Sequence, residues 1–513
     1  MKFRKIITFL IIVILLLLTT LIFTTSKYIN EKYVIDEILY YLMNDIGGIS
    51  EGIVKYWIGE NVLPFIVIFL VIVTPLLVSY STSKTFKIRI RKKKVQFTLF
   101  PRSNKFRITY SLFMLALSAV VGFFLLGIDE FLKRTFENSM FIEEHYVDGR
   151  KTMIQFPEAK RNLILIYLES MENALIDEKN GGGWPYKVIP ELEILARDNI
   201  NFSNTNQIGG AYPINNTVWT VAAMVATTSG LPLKIPIERN SYTSSENFLK
   251  GAYTLGDVLK KEGYNLKLMV GSDAQFGGRL NYFTNHGEYE IYDYNTAIQE
   301  GKMTKEDKVW WGFDDSHLFT WAKDEILELA NEKEPFNFTI LTVNTHFPDG
   351  YLEENAERLY DTQYENVYAH SSKQVDEFIR WLKRQDFYDN TTVVLIGDHL
   401  SMQDSAYYEG KLNPEFVRTI YNAFLNVPIT PTKANYRLFT SLDMYPTILA
   451  SIGVRIEGDR LGLGTNLFSN KRTLIEQYGL NYVDLELSKN SHFYNEVILD
   501  NDYFDLIKQR KKD

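Results

Sequence analysis

The segment Thr391–His399 (TTVVLIGDH) decides the fold class of this chain. Its residues up to Ile396 are all apolar or β-branched, which is typical of a strand buried on both faces of a parallel sheet. Asp398 and His399 follow this strand almost at once. Since functional groups gather just beyond the carboxyl ends of the strands in an open α/β sheet, the pair is a candidate site. A structural role in hydrogen bonding is the alternative.

Two further apolar runs end in the same way. Leu163–Leu168 (LILIYL) is followed by Glu169, and Phe336–Val343 is followed closely by His346. Each group alone is as compatible with a hydrogen-bonded structural residue as with a functional one. Together they suit a cation held by oxygen ligands and one imidazole, which is compatible with Mn²⁺, Mg²⁺ or Zn²⁺.

Helical patterns separate these strands. We predict a strand at Asn265–Val270 and helices at Pro190–Asp198, Leu255–Glu262, Asp315–Ala330 and Asn366–Gln385. Buried strands that alternate with helices indicate an α/β fold with a mostly parallel sheet.

The composition narrows the chemistry further. The 513 residues include no Cys, which excludes disulfides, iron–sulfur clusters and Cys-ligated zinc. The net charge of −8 and the lack of a basic groove with interleaved aromatic residues argue against nucleic-acid binding. Any metal must be held by Asp, Glu, His or hydroxyl groups.

Three apolar stretches are long enough to cross a bilayer: Ile6–Thr25, Val62–Tyr80 and Ser111–Ile128. A cleaved signal peptide is the alternative for the first, but its apolar core is too long and no cleavage site closes it. The loop Ser81–Thr109 carries ten Lys and Arg residues and no acid. We interpret it as a cytoplasmic topology signal that contacts anionic lipid, rather than as a nucleic-acid patch. The chain after Ile128 is then outside the cytoplasm.

We therefore divide the chain into a membrane region (1–128), a linker (129–161), a catalytic domain (162–470) and a C-terminal extension (471–513). The extension is expected to add an edge hairpin or a flexible tail. Tyr33–Met43, between the first two spans, is expected to form a short helix on the outer membrane surface.

The segment Asn215–Leu233 (NNTVWTVAAMVATTSGLPL) supplies a candidate nucleophile. Val221–Ser229 is expected to be a buried helix, and Thr220 lies at its entrance. A hydroxyl there can cap the helix, or it can attack an anionic substrate held by the free N–H groups and the helix dipole. Thr217 is the second choice for the nucleophile. A cation beside the hydroxyl would lower its pKa and favour phosphoryl transfer. A serine hydrolase or NTPase is disfavoured, because the chain has neither a G-x-S-x-G elbow nor a phosphate-binding loop.

Five motifs in order resemble the sulfatase-like membrane phosphotransferases. The resemblance is closest to the phosphoglycerol transferases of osmoregulated periplasmic glucans; lipoteichoic acid synthases and lipid A phosphoethanolamine transferases are more distant. It covers Asn162–Asn426 and rests on the motifs YLESMENAL, WTVAAMVATTSGLPL, WWGFDDSHLF, LTVNTHFPDGY and GDHLSMQDSAYY. It implies an alkaline-phosphatase/sulfatase-like α/β/α sandwich, preceded here by an N-terminal transmembrane region.

The resemblance also implies roles for individual residues. Thr220 occupies the place of the sulfatase Cys, with Gly230 ten positions later, but the Pro, Ser and Arg of the C-x-P-S-R motif are missing. This departure favours transfer by a threonine nucleophile over sulfate-ester hydrolysis. The resemblance assigns the metal ligands as Glu169, Thr220, Asp398 and His399. It implies that His346 contacts the substrate phosphate or assists proton transfer and that Arg279 grips the head-group phosphate; a solvated loop arginine is the alternative for Arg279. Two further substrate-binding candidates are Trp219, beside Thr220, with packing as the alternative, and Asp349, three residues after His346, with a turn as the alternative. Beside Arg279, the Trp of the lipoteichoic acid synthases is replaced by Gly277.

The function implied is transfer of phosphoglycerol from phosphatidylglycerol, through a phospho-threonine, to a glycan hydroxyl. The enzyme would be a multi-pass protein of the inner membrane with its catalytic domain in the periplasm or otherwise extracytoplasmic. It would use one divalent ion, with manganese as the first choice and magnesium or zinc as alternatives. A phosphoethanolamine transferase, a metal-dependent phosphodiesterase and an inactive membrane-anchored scaffold are the competing hypotheses.

Overall fold

The computed structural model describes residues 2–43, 51–81, 84–90, 93–234, 248–403 and 405–499. The chain divides into two compact units. One comprises Met1–Ile35 and Glu51–Lys133, and the other comprises Asp36–Ser50 and Arg134–Asp513.

The elements are numbered in chain order. The helices are α1 (Lys2–Lys32), α2 (Ile35–Met43), α3 (Glu51–Ser81), α4 (Asn104–Leu125), α5 (Ile128–Phe136), α6 (Phe141–His145), α7 (Pro190–Asp198), α8 (Thr220–Ser229), α9 (Leu255–Lys261), α10 (Arg279–Asn285), α11 (Tyr294–Gln299), α12 (Asp315–Ala330), α13 (Gln363–Leu382), α14 (Ser405–Tyr408), α15 (Met444–Ser451), α16 (Leu474–Tyr478) and α17 (Leu480–Ser488). The strands are β1 (Lys84–Ile90), β2 (Lys93–Leu99), β3 (Ile154–Gln155), β4 (Asn162–Leu168), β5 (Asn265–Val270), β6 (Glu290–Tyr292), β7 (Phe336–Leu341), β8 (Thr391–Gly397), β9 (Asn422–Leu425), β10 (Arg455–Ile456), β11 (Arg460–Leu461) and β12 (Gly464–Thr465).

The first unit consists of long apolar helices and one hairpin. Among the described residues, α1, α3 and α4 are each long and apolar enough to cross a membrane. Helices α1 and α4 approach closely, because a Cβ on Gly122 would lie 2.8 Å from Oγ of Ser26. The basic loop forms the antiparallel hairpin β1–β2; its residues 82, 83, 91 and 92 lie outside the described ranges.

The third predicted span was displaced along the chain. We expected Ser111–Ile128, whereas α4 begins at Asn104. The reason is a cap that hydropathy does not detect: the hydroxyl of Ser103 accepts the N–H of Phe106 at 3.1 Å and starts the helix before its apolar part.

The second unit is built on a six-stranded sheet with the order β6-β5-β7-β4-β8-β9. All neighbours are parallel except β8 and β9. Every residue of β4, β7 and β8 is buried, as expected for strands covered on both faces. The prediction of a mostly parallel α/β sheet is confirmed, including the exact bounds of β5, α7 and α12.

Some element bounds differ from the prediction. Helix α13 spans Gln363–Leu382 rather than Asn366–Gln385, because the hydroxyl of Thr362 accepts the N–H of Glu365 and caps the helix earlier. Strand β7 ends at Leu341, two residues before the end of the apolar run.

The segments expected to be irregular are partly ordered in this unit. The segment 129–161 contains α6 and also β3, which pairs with β10. In the C-terminal extension, the described residues form α16 and α17 instead of an edge hairpin, and residues 500–513 lie outside the described ranges. The expected surface helix exists as α2, but its residue Tyr40 is fully buried in the core of this unit.

Candidate metal centre

The candidate residues meet at the carboxyl ends of three adjacent strands. Strands β7, β4 and β8 lie side by side, with Tyr167 opposite Leu341 and Leu168 opposite Gly397. The residues that follow these strands therefore share one edge of the sheet, as the sequence predicted. Glu169 follows β4 directly, and Asp398 follows β8 directly.

Two backbone N–H groups hold one carboxylate oxygen of Asp398 and leave the other oxygen without a donor in the described part of the chain. Its Oδ1 accepts the N–H of Ser170 at 2.7 Å and the N–H of His399 at 2.8 Å. Its Oδ2 is buried and has no hydrogen-bond partner among the described residues. A buried carboxylate oxygen without a donor is costly unless a cation or a proton compensates it.

The backbone around Asp398 leaves no room for a side chain at position 397. A Cβ on Gly397 would lie 1.9 Å from the carbonyl oxygen of Met171. This close approach lets the end of β8 pass the turn that follows β4, and it places Asp398 beside Ser170.

Glu169 is fixed through both its backbone and its side chain. Its N–H donates to the hydroxyl of Thr342 at 3.0 Å, and its carbonyl oxygen accepts the hydroxyl of Thr345 at 2.6 Å. The hydroxyl of Ser170 donates to Oε1 of Glu169 at 2.8 Å. The loop after β7 therefore supports a carboxylate that follows β4.

His399 turns its Nε2 towards the two carboxylates. Its Nδ1 lies 2.8 Å from the carbonyl oxygen of Leu400. Because a carbonyl can only accept, Nδ1 carries the hydrogen, and the neutral ring offers the lone pair of Nε2. This Nε2 lies 3.5 Å from Oε1 of Glu169 and 3.4 Å from Oδ2 of Asp398.

Thr220 is the first residue of α8, and it does not cap the helix. The N-cap residue is Trp219, which makes no side-chain cap. The hydroxyl of Thr220 instead donates to Oε2 of Glu169 at 3.3 Å and lies 3.4 Å from Nε2 of His399. The capping interpretation was therefore wrong, because the backbone enters the helix one residue earlier than the small-residue pattern indicated.

These four side chains fit a divalent cation. The hydroxyl of Thr220 to Glu169 and to His399, and Nε2 of His399 to Glu169 and to Asp398, are four distances of 3.3–3.5 Å. Tetrahedral ligands at 2.0–2.2 Å from an ion are roughly 3.3–3.6 Å apart, which matches these distances. Burial and the neighbouring carboxylate of Glu169 raise the pKa of Asp398 to about 8. The charge of a cation would remove this repulsion and occupy the unpartnered Oδ2. Among the described residues, Glu169, Asp398 and His399 form the carboxylate–imidazole group able to hold an ion.

A narrow pocket opens beside the hydroxyl of Thr220. Arg279 and His346, both predicted as substrate-binding residues, line it together with Thr220 and Glu169. The guanidinium of Arg279 is 5% exposed and is oriented by Nη2 donating to Oγ of Ser272 at 3.0 Å. A fixed cation beside a hydroxyl at a helix N-terminus is suited to an anionic substrate.

His346 is oriented by its own backbone. Its Nδ1 lies 2.6 Å from the carbonyl oxygen of Phe347, so that Nδ1 carries the hydrogen and Nε2 is the acceptor. Burial lowers the pKa of His346, which favours the neutral ring. The side chain is therefore able to take a proton at Nε2 and return it later.

The loop that carries His346 is clamped from α12. Buried Asp315 accepts the N–H of Val343 at 2.8 Å and the N–H of Asn344 at 3.1 Å. The side-chain amide of Asn344 donates to Glu353 at 2.7 Å. Asp314, the preceding residue, caps α12 by accepting the N–H of His317.

The remaining candidates do not line the pocket. Trp219 is 1% exposed and packs against Tyr40, with ring centroids 5.9 Å apart. Asp349 is exposed, and its Oδ1 accepts a hydrogen bond from Gln403 at 2.7 Å. The hydroxyl of Thr217 donates to the carbonyl oxygen of Ile214 and has a structural role.

Sequence reasoning missed the aromatic side of the pocket, which consists of Tyr41, Phe276 and Trp311. Trp311 lies in the motif WWGFDDSHLF, and Phe276 lies three residues before Arg279, so both are close in sequence to residues already considered. Tyr41 comes from α2, far away in sequence, and no local pattern indicated it.

The strand-end carboxylates, the imidazole and the helix-entrance hydroxyl define an α/β protein with a site for a divalent cation. Comparison with known families gives the same class a name. The chain belongs to the sulfatase family: the family model described as Sulfatase matches residues 161–454. The segment that begins at Thr220 lacks the Pro, Ser and Arg of the C-x-P-S-R motif.

The chain is similar to curated relatives named phosphoglycerol transferase I. It is 31% identical over 272 residues to the protein of Escherichia coli (strain 55989 / EAEC), a match covering 51% of this chain and 33% of that protein. It is 30% identical over 272 residues to the protein of Citrobacter koseri, with the same coverage of both chains. The chain thus matches about a third of the length of these relatives.

Solved structures of the same fold are also similar. The lipoteichoic acid synthase LtaP of Listeria monocytogenes has a TM-score of 0.48 at 20% identity, covering 65% of this chain and 82% of that chain. The lipooligosaccharide phosphoethanolamine transferase EptA of Neisseria meningitidis has a TM-score of 0.47 at 13% identity, covering 87% of each chain.

Proposed function

We propose that this protein transfers phosphoglycerol from phosphatidylglycerol to a glycan hydroxyl outside the cytoplasm, through a covalent intermediate on Thr220. The carrying observation is the position of the Thr220 hydroxyl, within 3.4 Å of both Glu169 and His399 at the start of α8. The matched relatives named phosphoglycerol transferase I support the choice of transferred group.

The first half-reaction loads the enzyme. Oγ1 of Thr220 forms a bond to the head-group phosphorus, and the bond from phosphorus to the diacylglycerol oxygen breaks. The hydroxyl proton of Thr220 is lost, and the diacylglycerol oxygen gains one proton, so charge balances. Arg279 would hold the phosphate oxygens, because its guanidinium is fixed at the same pocket.

The second half-reaction transfers phosphoglycerol from Thr220 to the acceptor. A glycan hydroxyl attacks the phosphorus, the bond to Oγ1 of Thr220 breaks, and Thr220 regains a proton. His346 is suited to take the proton of the attacking hydroxyl, since its Nε2 is an acceptor in the neutral ring.

Glu169, Asp398, His399 and Thr220 would hold one divalent ion, for which manganese is our first choice and magnesium or zinc the alternatives. When bound, such an ion lowers the pKa of a coordinated hydroxyl and neutralises phosphate charge. The chain's own contribution is to fix these side chains before substrate arrives, through the backbone bonds to Asp398 and His399.

The experiment that tests this function is mass spectrometry of the full-length protein. The metal-loaded protein is incubated with phosphatidylglycerol or phosphatidylethanolamine in detergent, digested, and the peptide carrying Thr220 is analysed. We expect a phosphoglycerol adduct on Thr220 that disappears when a glycan acceptor is added. A phosphoethanolamine adduct would replace the proposed donor, and release of glycerol phosphate without an acceptor would indicate a phosphodiesterase.

Two variants control this measurement. Thr220→Ala should fold and form no adduct, and full transfer activity in this variant would refute the covalent mechanism. Thr217→Ala serves as the matched control, because the hydroxyl of Thr217 donates to the backbone of Ile214; this variant should retain adduct formation. If the protein bound no metal and Asp398→Ala caused no loss of activity, these results would favour the hypothesis of an inactive scaffold.

A further inference from the structure

Helix α2 is docked into the core of the catalytic unit. Tyr40 is fully buried, and its hydroxyl donates to the carbonyl oxygen of Gly277 at 2.6 Å. At the start of the helix, Asp36 pairs with Arg134 at 3.1 Å. These contacts fix α2 at both of its ends, although it lies in the sequence between two helices long enough to cross a membrane.

The residue after Tyr40 faces the pocket. Tyr41 stacks on Phe276, with ring centroids 5.2 Å apart and an interplanar angle of 18°. The ring also lies against Gly277, since a Cβ at that position would be 3.8 Å from Cε1 of Tyr41, an ordinary van der Waals contact. Tyr41 therefore shares the pocket with Thr220 and Arg279.

Tyr41 is one end of a continuous aromatic wall. The ring of Phe276 lies 5.2 Å from that of Trp311, and Trp311 lies 4.8 Å from the ring of His346. The indole N–H of Trp311 is buried and has no hydrogen-bond partner among the described residues. A buried donor of this kind at a pocket is a ready partner for a ligand oxygen.

We propose that α2 is a substrate-binding element, in which Tyr41, with Phe276 and Trp311, binds the polyol end of the donor head group. This inference rests on the proposed function, because it places the head-group phosphate between Thr220 and Arg279. Flat aromatic rings cover the carbon face of a polyol, and the indole N–H of Trp311 and the hydroxyl of Tyr41 bond its hydroxyls.

The charge of the pocket favours a polyol over an ammonium group. Glu169 is the one acidic side chain among the described residues that line the pocket, and it belongs to the metal centre. Arg279 adds a fixed positive charge. An ammonium group would thus lie near a guanidinium of the same charge, whereas an uncharged polyol meets no such repulsion.

The test compares two anions that share the phosphate but differ in the polyol. Calorimetry on the full-length, metal-loaded protein in detergent measures binding of glycerol phosphate and of inorganic phosphate. We expect Tyr41→Ala to weaken glycerol phosphate about 3- to 10-fold and to leave inorganic phosphate within twofold. Tyr41→Phe should lie between wild type and Tyr41→Ala. Leu42→Ala is the matched control on the same helix, because Leu42 is 71% exposed; both affinities should be unchanged.

Each other outcome overturns the inference. Equal weakening of both anions by Tyr41→Ala would mean that α2 only supports the fold, and no weakening would mean that α2 does not contact the ligand. If Tyr41→Ala weakened the binding of phosphoethanolamine more than that of glycerol phosphate, the aromatic wall would instead recognise an ammonium group. Release of diacylglycerol from phosphatidylglycerol is measured separately, so that failure of the proposed function is distinguishable from failure of this binding wall.

Discussion

The clamp on the loop that carries His346 gives a prediction with a calculable size. Asp315→Ala removes a buried carboxyl that accepts the N–H groups of Val343 and Asn344. Each buried N–H left without an acceptor costs about 1–3 kcal/mol, and the two together cost about 2–6 kcal/mol. Burial also raises the pKa of Asp315 to about 8. Relief of this desolvation offsets part of the loss, and we expect a net destabilisation of about 2–4 kcal/mol.

The assay is urea unfolding of the full-length protein in detergent, followed by tryptophan fluorescence. The neighbouring variant Asp314→Ala is the matched control, since it removes the cap of α12 and an exposed contact with the ring of His317 and should cost about 1 kcal/mol. Asp315→Asn keeps one acceptor oxygen and should fall between the two.

A smaller effect of Asp315→Ala than of Asp314→Ala would refute this reasoning. The buried N–H groups of the loop would then have found other partners, and Asp315 would be an ordinary first-turn residue of its helix.

Two further predictions concern buried groups elsewhere in the catalytic unit. Burial lowers the pKa of Lys234 to about 7, below the ordinary value of about 10.4. Between these two pH values the unfolded chain binds more protons than the folded chain. The free energy of unfolding therefore rises with pH in this range, by up to about 1.4 kcal/mol per pH unit. Urea unfolding at pH 7, 8 and 9 should show this slope in wild type and not in Lys234→Met; equal slopes would contradict it. Gly397→Ala should displace Asp398 and lower the bound divalent metal, because its Cβ would lie 1.9 Å from the backbone oxygen of Met171. Gly59→Ala, where no atom lies within 4 Å of the added Cβ, should leave the metal content unchanged.

The parallel sheet could be predicted from the sequence because its signal is local. Runs such as Leu163–Leu168 and Thr391–Ile396 are apolar at every position, and this pattern is typical of a strand covered on both faces. Functional groups in an open α/β sheet gather beyond the carboxyl ends of its strands, and this rule predicts that Glu169, Asp398 and His399 lie together. The helix bounds were less accurate where a single hydroxyl, such as that of Ser103 or Thr362, starts the helix outside the apolar pattern.

The aromatic side of the pocket could not be predicted in the same way. The amphipathic pattern of α2 shows that one face must be covered, but a membrane surface and a protein core satisfy it equally well. Which surface covers Tyr40 and Tyr41 is decided by the close turn at Gly277, more than two hundred residues later. Likewise, the start of α8 at Thr220 rather than at Val221 depends on the backbone of Trp219, for which small apolar residues give no signal.

The hydrogen bond between Tyr40 and Gly277 links positions that are 237 residues apart in the chain. During synthesis, α2 emerges long before the turn that receives it, and the pocket acquires its aromatic side only after both have been made. Contacts of such long sequence separation form late and lose most when the chain is cut. A fragment that begins after the third apolar helix would keep the candidate cation ligands and the proposed nucleophile Thr220 but lack Tyr41. Affinities measured on such a fragment would therefore describe the phosphate half of the pocket, with the polyol half left open.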